Sequence, residues 1–328
     1  MSHLETAPAT PELSIVIPCY NESGNIQLVL STFEGLAPEL PTFEIIFVND
    51  GSRDDTSAQI ASQAQRQPAW PFKIRLLDLS RNFGHQLALL AGMEVAVGEA
   101  CVSIDADLQD PPKKIVEMVQ LWRLGYDVVL GQRVDRTTDT WFKRSTAQMY
   151  YRLMTRLTKG QLPEDVADFR LINRRVLSVL IALKERAPFW RGLVAWVGYK
   201  TAIVTYSRAA RQFGETKYPL KKMLAFALDG VLSFSREPLR MVTHLGLAIS
   251  AISLSFGFIY VCLRVFGLEL VPGWTALLAM ITLLGGIQMI SLGIIGEYVG
   301  RIYEQVQGRP LVLYHTPQTL HDPSVAKE

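Results

Sequence analysis

The sequence predicts an α/β protein: a doubly wound, mainly parallel sheet, followed by an interfacial amphipathic helix and a two-helix transmembrane hairpin. Three observations carry this. Short apolar runs alternate with helix-period runs over residues 13–206. Residues 241–263 and 274–296 contain no Lys, Arg, Asp or Glu, and each is long enough to cross a hydrocarbon core of about 30 Å as a helix. Basic residues cluster on one side of that pair, Lys221, Lys222, Arg236 and Arg240 before it and Arg301 and Arg309 after it, while the connection holds Arg264 and Glu269.

Residues 1–12, rich in Ser, Thr, Pro and Glu, read as a disordered lead-in without a secretory signal. LSIVIPCY is a compact apolar strand, followed by a helix over 22–33. FEIIFVND is a second strand, followed by a helix over 54–67 whose first turn takes Asp54 and Asp55 at the positive end of its dipole. IRLLDLS is a third strand, with a helix over 85–97. ACVSIDADL is a fourth, with a proline-started helix in PPKKIVEMVQLWRLG, and YDVVLGQR a fifth. This alternation implies strands covered on both faces.

The predicted organisation is a catalytic domain over 13–216, a juxtamembrane helix over 217–240, spans at 241–263 and 274–296, and a tail over 297–328. In YPLKKMLAFALDGVLSF the apolar residues recur at helical spacing, with Lys221 and Lys222 placed to meet anionic head groups. The charge pattern puts the large N-terminal part and the tail on the cytoplasmic side. Gly285, Gly286 and Gly293 leave room for close helix packing, and so for a homo-oligomer. The net charge of +2 offers no field for nucleic acid. Cys19, Cys101 and Cys262 have no paired or metal-ligand spacing and read as small hydrophobes.

Ligands of open α/β sheets bind at the carboxyl ends of the strands. The residues there are polar: Tyr20, Asn21 and Glu22; Asn49, Asp50, Gly51 and Ser52; Arg81, Asn82 and Gly84; Asp105, Asp107 and Gln109; Arg133. So many carboxylates on one rim call for a bound cation or for donors on a ligand. In a continuing strand Asp105 and Asp107 share a face, a hard oxygen site for Mg²⁺ or Mn²⁺ to which Gln109 adds an amide oxygen. Asp168, in VADFRLINR, is open to three readings: a contact to ligand hydroxyls, a base, or a structural partner of Arg170 or Arg174.

SIVIPCYNE, VNDGSRDDT, LSRNFGHQLAL, DADLQDPP and RQFGETKY resemble, in that order, the motifs of family 2 glycosyltransferases. The subgroup most similar holds the dolichol-phosphate mannose synthases and the bacterial polyprenyl-phosphate glucosyltransferases, and the resemblance runs from residue 13 to about 310. It implies a GT-A fold. It also implies that Pro18, Tyr20, Glu22, Val48, Asp50, Asp105, Ala106 and Asp107 hold a nucleotide-diphosphate sugar, with Asp105, Asp107 and Gln109 on the metal. Arg133 matches an arginine near the phosphates. Arg211, Gly214, Thr216, Lys217 and Tyr218 match an RxxGxSKY motif, with Thr for Ser.

The reaction so implied is inverting transfer of a hexose to polyprenyl (undecaprenyl) phosphate. UDP-glucose is the preferred donor, with mannose from GDP-mannose, GlcNAc or a modified aminosugar open. Asp107, Arg133, Arg211 and Asp168 are the candidate catalytic residues. A lipid phosphate cannot sink below the interface and needs cationic donors at its surface; Arg133, Arg144, Arg211, Thr216 and Lys217 are the candidates. The resemblance places the chain as an integral protein of the bacterial inner membrane. Two alternatives fit less well. A processive polysaccharide synthase would need more than two helices for a channel and a QxxRW-type run, and a non-catalytic scaffold would not keep these motifs intact.

Overall fold

In the computed structural model the described residues are 10–66, 70–134, 166–186, 188–207, 237–266 and 273–315. The chain forms two compact units, Met1–Met223 with Arg309–Glu328, and Leu224–Gly308. The first is built on a seven-stranded sheet. Its strands are β1 Leu13–Cys19, β2 Phe43–Asn49, β3 Lys73–Asp78, β4 Ala100–Ser103, β5 Val128–Arg133, β6 Val166–Asn173 and β7 Thr201–Tyr206. Their order across the sheet is β3-β2-β1-β4-β6-β5-β7.

All seven residues of β1 and of β2 are buried, as expected of central strands covered on both faces. Helix α1, Ser23–Leu36, buries Ile26, Val29, Leu30 and Phe33 at helical spacing. Helix α2 is Thr56–Gln65 and α3 is His85–Val95. The α3 backbone lies close to the sheet at Gly92, where an added Cβ would come within 2.3 Å of the Val16 side chain. Helices α4 Lys114–Arg123, α5 Arg174–Ala182 and α6 Trp190–Trp196 complete the described helices of this unit, beside a short 3₁₀ turn at Ala37–Glu39.

The sheet is mainly parallel, as expected, with one inverted strand: β1–β2, β1–β4, β2–β3 and β5–β7 are parallel, but β6 runs antiparallel to both β4 and β5. Two other expectations need correction. The fourth strand ends at Ser103, short of the paired aspartates, because the Leu108 N–H turns back to the Asp105 carbonyl at 3.4 Å. Asp54 and Asp55 precede α2 instead of sitting in its first turn. Asp54 accepts from the Thr56 N–H at 3.1 Å and from the Ser23 N–H at 3.2 Å, tying the two loops together.

The second unit contains α7, Glu237–Val265, and α8, Trp274–Val306. Among the described residues, Leu283–Val306 is the one stretch long and apolar enough to cross a membrane, and Met241–Phe256 is a shorter apolar helix. The amphipathic helix expected over 217–240 lies outside the described residues, except for 237–240 at the start of α7. Helix α8 runs ten residues beyond 296, into the region read as tail. Downstream, Tyr314 forms an antiparallel bridge with Leu79. The Ser80 N–H donates to the Leu313 carbonyl at 2.8 Å, and the His315 N–H to the Asp78 carbonyl at 2.8 Å.

Candidate active site

The ends of β1 to β5 and of β7, with the start of β6, build the rim. The β1 and β2 ends are laced together: the Asn21 N–H donates to Ser52 Oγ at 2.9 Å, and the Arg53 N–H to Asn21 Oδ1 at 2.8 Å. Tyr20 is exposed beside them. Glu22 takes the Asn25 amide, and its own N–H donates to Thr56 Oγ1 at 2.9 Å. Asp50 is buried, and its two carboxylate oxygens accept the N–H groups of Phe83 at 2.6 Å and Gly84 at 2.9 Å. Burial pushes its carboxyl up, against those hydrogen bonds. Gly51 has φ +65 and lies so close to Arg81 that a Cβ would meet its carbonyl carbon at 2.5 Å. Asp50 thus fixes the loop between β3 and α3. Val48 is fully buried and Pro18 and Ala106 are also buried, so the Val48 side chain packs the core against α3 rather than lining the rim.

That loop delivers His85, the first residue of α3, to the carboxylates. His85 Nε2 lies 3.7 Å from Asp105 Oδ1 and 3.6 Å from Asp168 Oδ2. Burial would lower the imidazole pKa; the hydrogen bond to Asp168 and the charge of Asp105 outweigh it and raise it. Asp105 is pushed up by burial and by repulsion from Asp110, Asp168 and Asp107, against the attraction of His85. Asp107 accepts the Gln109 N–H at 3.2 Å. Among the described residues no three or more His, Cys, Asp or Glu side chains are grouped as metal ligands. Two carboxylates in one turn, one raised by burial and by its acidic neighbours, fit a hard divalent cation.

Asp168 lies near the start of β6 and is engaged on every side. Its Oδ1 accepts from Arg170 and from Arg191 Nε at 3.4 Å; its Oδ2 accepts from Arg191 Nη2 at 3.3 Å and Gln86 Nε2 at 3.2 Å. Burial would raise this carboxyl, but Arg191, His85 and Arg170 hold it well below the usual carboxylate range. A group so held is a poor proton acceptor at neutral pH. Its arginine partners are Arg170 and Arg191; Arg174 instead donates to the Gly98 carbonyl. On the far side, Arg133 Nη2 lies 3.6 Å from Asp110 Oδ1, while the Tyr206 hydroxyl donates to the same oxygen at 2.6 Å. Arg144, Arg211, Thr216 and Lys217 lie outside the described residues.

A model of glycosyl transferase family 2 matches residues 14–181. The chain belongs to glycosyl transferase family 2. An uncharacterized glycosyltransferase of Synechocystis is 47% identical over 308 residues, covering 93% of this chain and 95% of that one. The Escherichia coli prophage bactoprenol glucosyl transferase homolog is 40% identical, covering 91% and 97%. The bactoprenol glucosyl transferase of Shigella phage SfII is also 40% identical, covering 91% and 96%. Among solved structures, glucosyl-3-phosphoglycerate synthase from Mycobacterium tuberculosis, in complex with Mn²⁺, UDP-glucose and phosphoglyceric acid, matches at 19% identity with a TM-score of 0.51. The match covers 68% of this chain and 78% of that one, and is a likeness of fold. The family 2 glycosyl transferase therefore has the GT-A architecture.

His85, Gln86, Asp110, Arg191 and Tyr206 were not singled out from the sequence. His85 and Gln86 stand inside LSRNFGHQLAL and Asp110 inside DADLQDPP, so motif membership held the signal. Arg191 and Tyr206 follow the strand reversal, where no local pattern marks the rim. Cys19 and Cys101 are buried, and burial pushes the Cys101 thiol up to about 12, in keeping with inert packing.

Proposed function

We propose that this family 2 glycosyl transferase moves glucose from UDP-glucose to polyprenyl (undecaprenyl) phosphate, with inversion at the anomeric carbon and with Mg²⁺ or Mn²⁺ bound. The observation that carries the reading is the pairing of the Asp105–Asp107 turn with the His85 imidazole and the Arg191 and Arg133 guanidiniums near it. An acidic turn that suits a metal–diphosphate, ringed by cations that suit phosphate oxygens, is what transfer from a diphosphate to a phosphate requires. The bactoprenol glucosyl transferases that match over nine-tenths of both chains support the lipid acceptor and the glucose.

Asp105 and Asp107 hold the metal, with Gln109 beside them. When bound, it neutralises charge on the departing diphosphate. Tyr20, Glu22 and Asp50 define the nucleotide end. The acceptor phosphate, with a second pKa of about 6, is ionised at neutral pH and needs no base. One of its oxygens bonds to the anomeric carbon as the bond to the diphosphate oxygen breaks. Arg133 holds the phosphates, joined by Arg144, Arg211, Thr216 and Lys217 on the lipid side. Asp168 orients Arg191 and takes no proton. Helices α7 and α8 anchor the protein as a membrane hairpin, with the catalytic unit and C-terminus cytoplasmic.

The test is to incubate purified protein with Mn²⁺ or Mg²⁺ and each of several labelled sugar nucleotides, with and without undecaprenyl phosphate. Lipid-extractable label only in the presence of acceptor, and strongest from UDP-glucose, is the expected result. Label confined to water-soluble products would overturn the acceptor assignment.

A further inference from the structure

The segment after α8 adds itself to the sheet at a place that matters for the donor side. β3 is an edge strand, and Leu79–Ser80 continue from its end. Val312 is buried and Tyr314 half-buried, while Leu313 and His315 are exposed, the alternation of a strand. Its backbone bonds flank the bridge: Ser80 N–H to the Leu313 carbonyl, His315 N–H to the Asp78 carbonyl. A further tie joins Arg186 Nη2 to the Arg309 carbonyl at 2.9 Å.

The two residues so gripped are nodes of the rim. Asp78 Oδ1 accepts the Asn49 amide at 2.5 Å and its Oδ2 accepts the Ser57 hydroxyl at 2.9 Å, fixing the end of β2 and the start of α2. Ser80 opens the loop whose Phe83 and Gly84 N–H groups are held by Asp50 and whose next residue is His85. Among the described residues, that loop is also fastened by Gly51 and Asp50.

We propose that residues 312–315 are a positioning strap: added to the sheet edge, they hold the loop over 80–84, and through it His85, in the arrangement that accepts the nucleotide sugar. An edge strand supplied by the chain's own end is β-augmentation in cis. Five residues, 307–311, separate the end of α8 from the strap.

The test uses full-length protein in detergent and three variants. His315→Pro removes the N–H that reaches Asp78; Val312→Asp puts a charge into the buried contact; His315→Ala keeps the backbone bond. Amide hydrogen exchange is followed in peptides over 79–88 and in β1 and β4. In the proline and aspartate variants the Phe83 and Gly84 amides should exchange about tenfold faster, with β1 and β4 unchanged, and His315→Ala should match the parent. Donor KM should rise about fivefold with acceptor KM steady, as expected of a loop that must be re-ordered on binding. Parent-like exchange at Phe83 and Gly84 in both disruptive variants overturns the strap, as does acceleration spread equally over the whole sheet. Faster exchange with an unchanged donor KM overturns its role at the donor site. The exchange result is independent of the proposed function, whose failure would show as a parent protein unable to use any sugar nucleotide.

Discussion

Arg191 meets Asp168 with two prongs, Nε at 3.4 Å from one carboxylate oxygen and Nη2 at 3.3 Å from the other. A lysine at 191 can supply charge but not the fork. Arg191→Lys should lower kcat/KM roughly tenfold to a hundredfold, the equivalent of one or two charge-assisted hydrogen bonds. Steady-state transfer assays alongside circular dichroism check this; parent-like activity would remove Arg191 from the site.

Asp107→Ala should depress transfer by about a hundredfold or more while leaving expression and membrane insertion intact. Titrating Mn²⁺ into the variant gives the second reading. A variant that keeps the parent's rate and metal dependence would sink the metal assignment.

Asp50 satisfies two backbone N–H groups of a neighbouring loop. Asp50→Ala strands both, at a cost of roughly 2 kcal/mol or more, so Tm should fall on the order of 5 °C. Tryptophan fluorescence during heating measures it. An unchanged Tm would mean that the loop is held by other contacts.

The Asp168 carboxyl is lowered in the folded state by Arg191, His85 and Arg170 against the opposing effect of burial. The stability it contributes is therefore present above the unfolded value of about 3.9 and is lost as pH falls through the lower folded value. Acid unfolding of the parent and of Asp168→Asn should converge over that window. The stability difference should be largest above it. A gap that widens toward low pH would contradict the assignment.

The first five strands were legible because each is an apolar run ending in polar residues, and the rim followed from that pattern. β6 was not, since a buried Arg170 and Asp168 interrupt its apolar run, and strand direction leaves no local trace. β7 is an edge strand whose alternate residues are exposed, too weak a signal to stand out. The carboxylate pair was read as the end of a strand but lies in a turn: the positive φ of Leu108 lets the chain fold back, and an apolar Leu does not announce it. Arg191 became visible only when folding brought α6 beside β6.

The reversal of β6 has an architectural result. Gln132 pairs with Val166, so the chain departs from the end of β5 and re-enters the sheet at the start of β6 on the same side, the side of Asp105 and Arg133. An inverted strand thus lends its first residues, Asp168 among them, to an edge that its neighbours reach with their last.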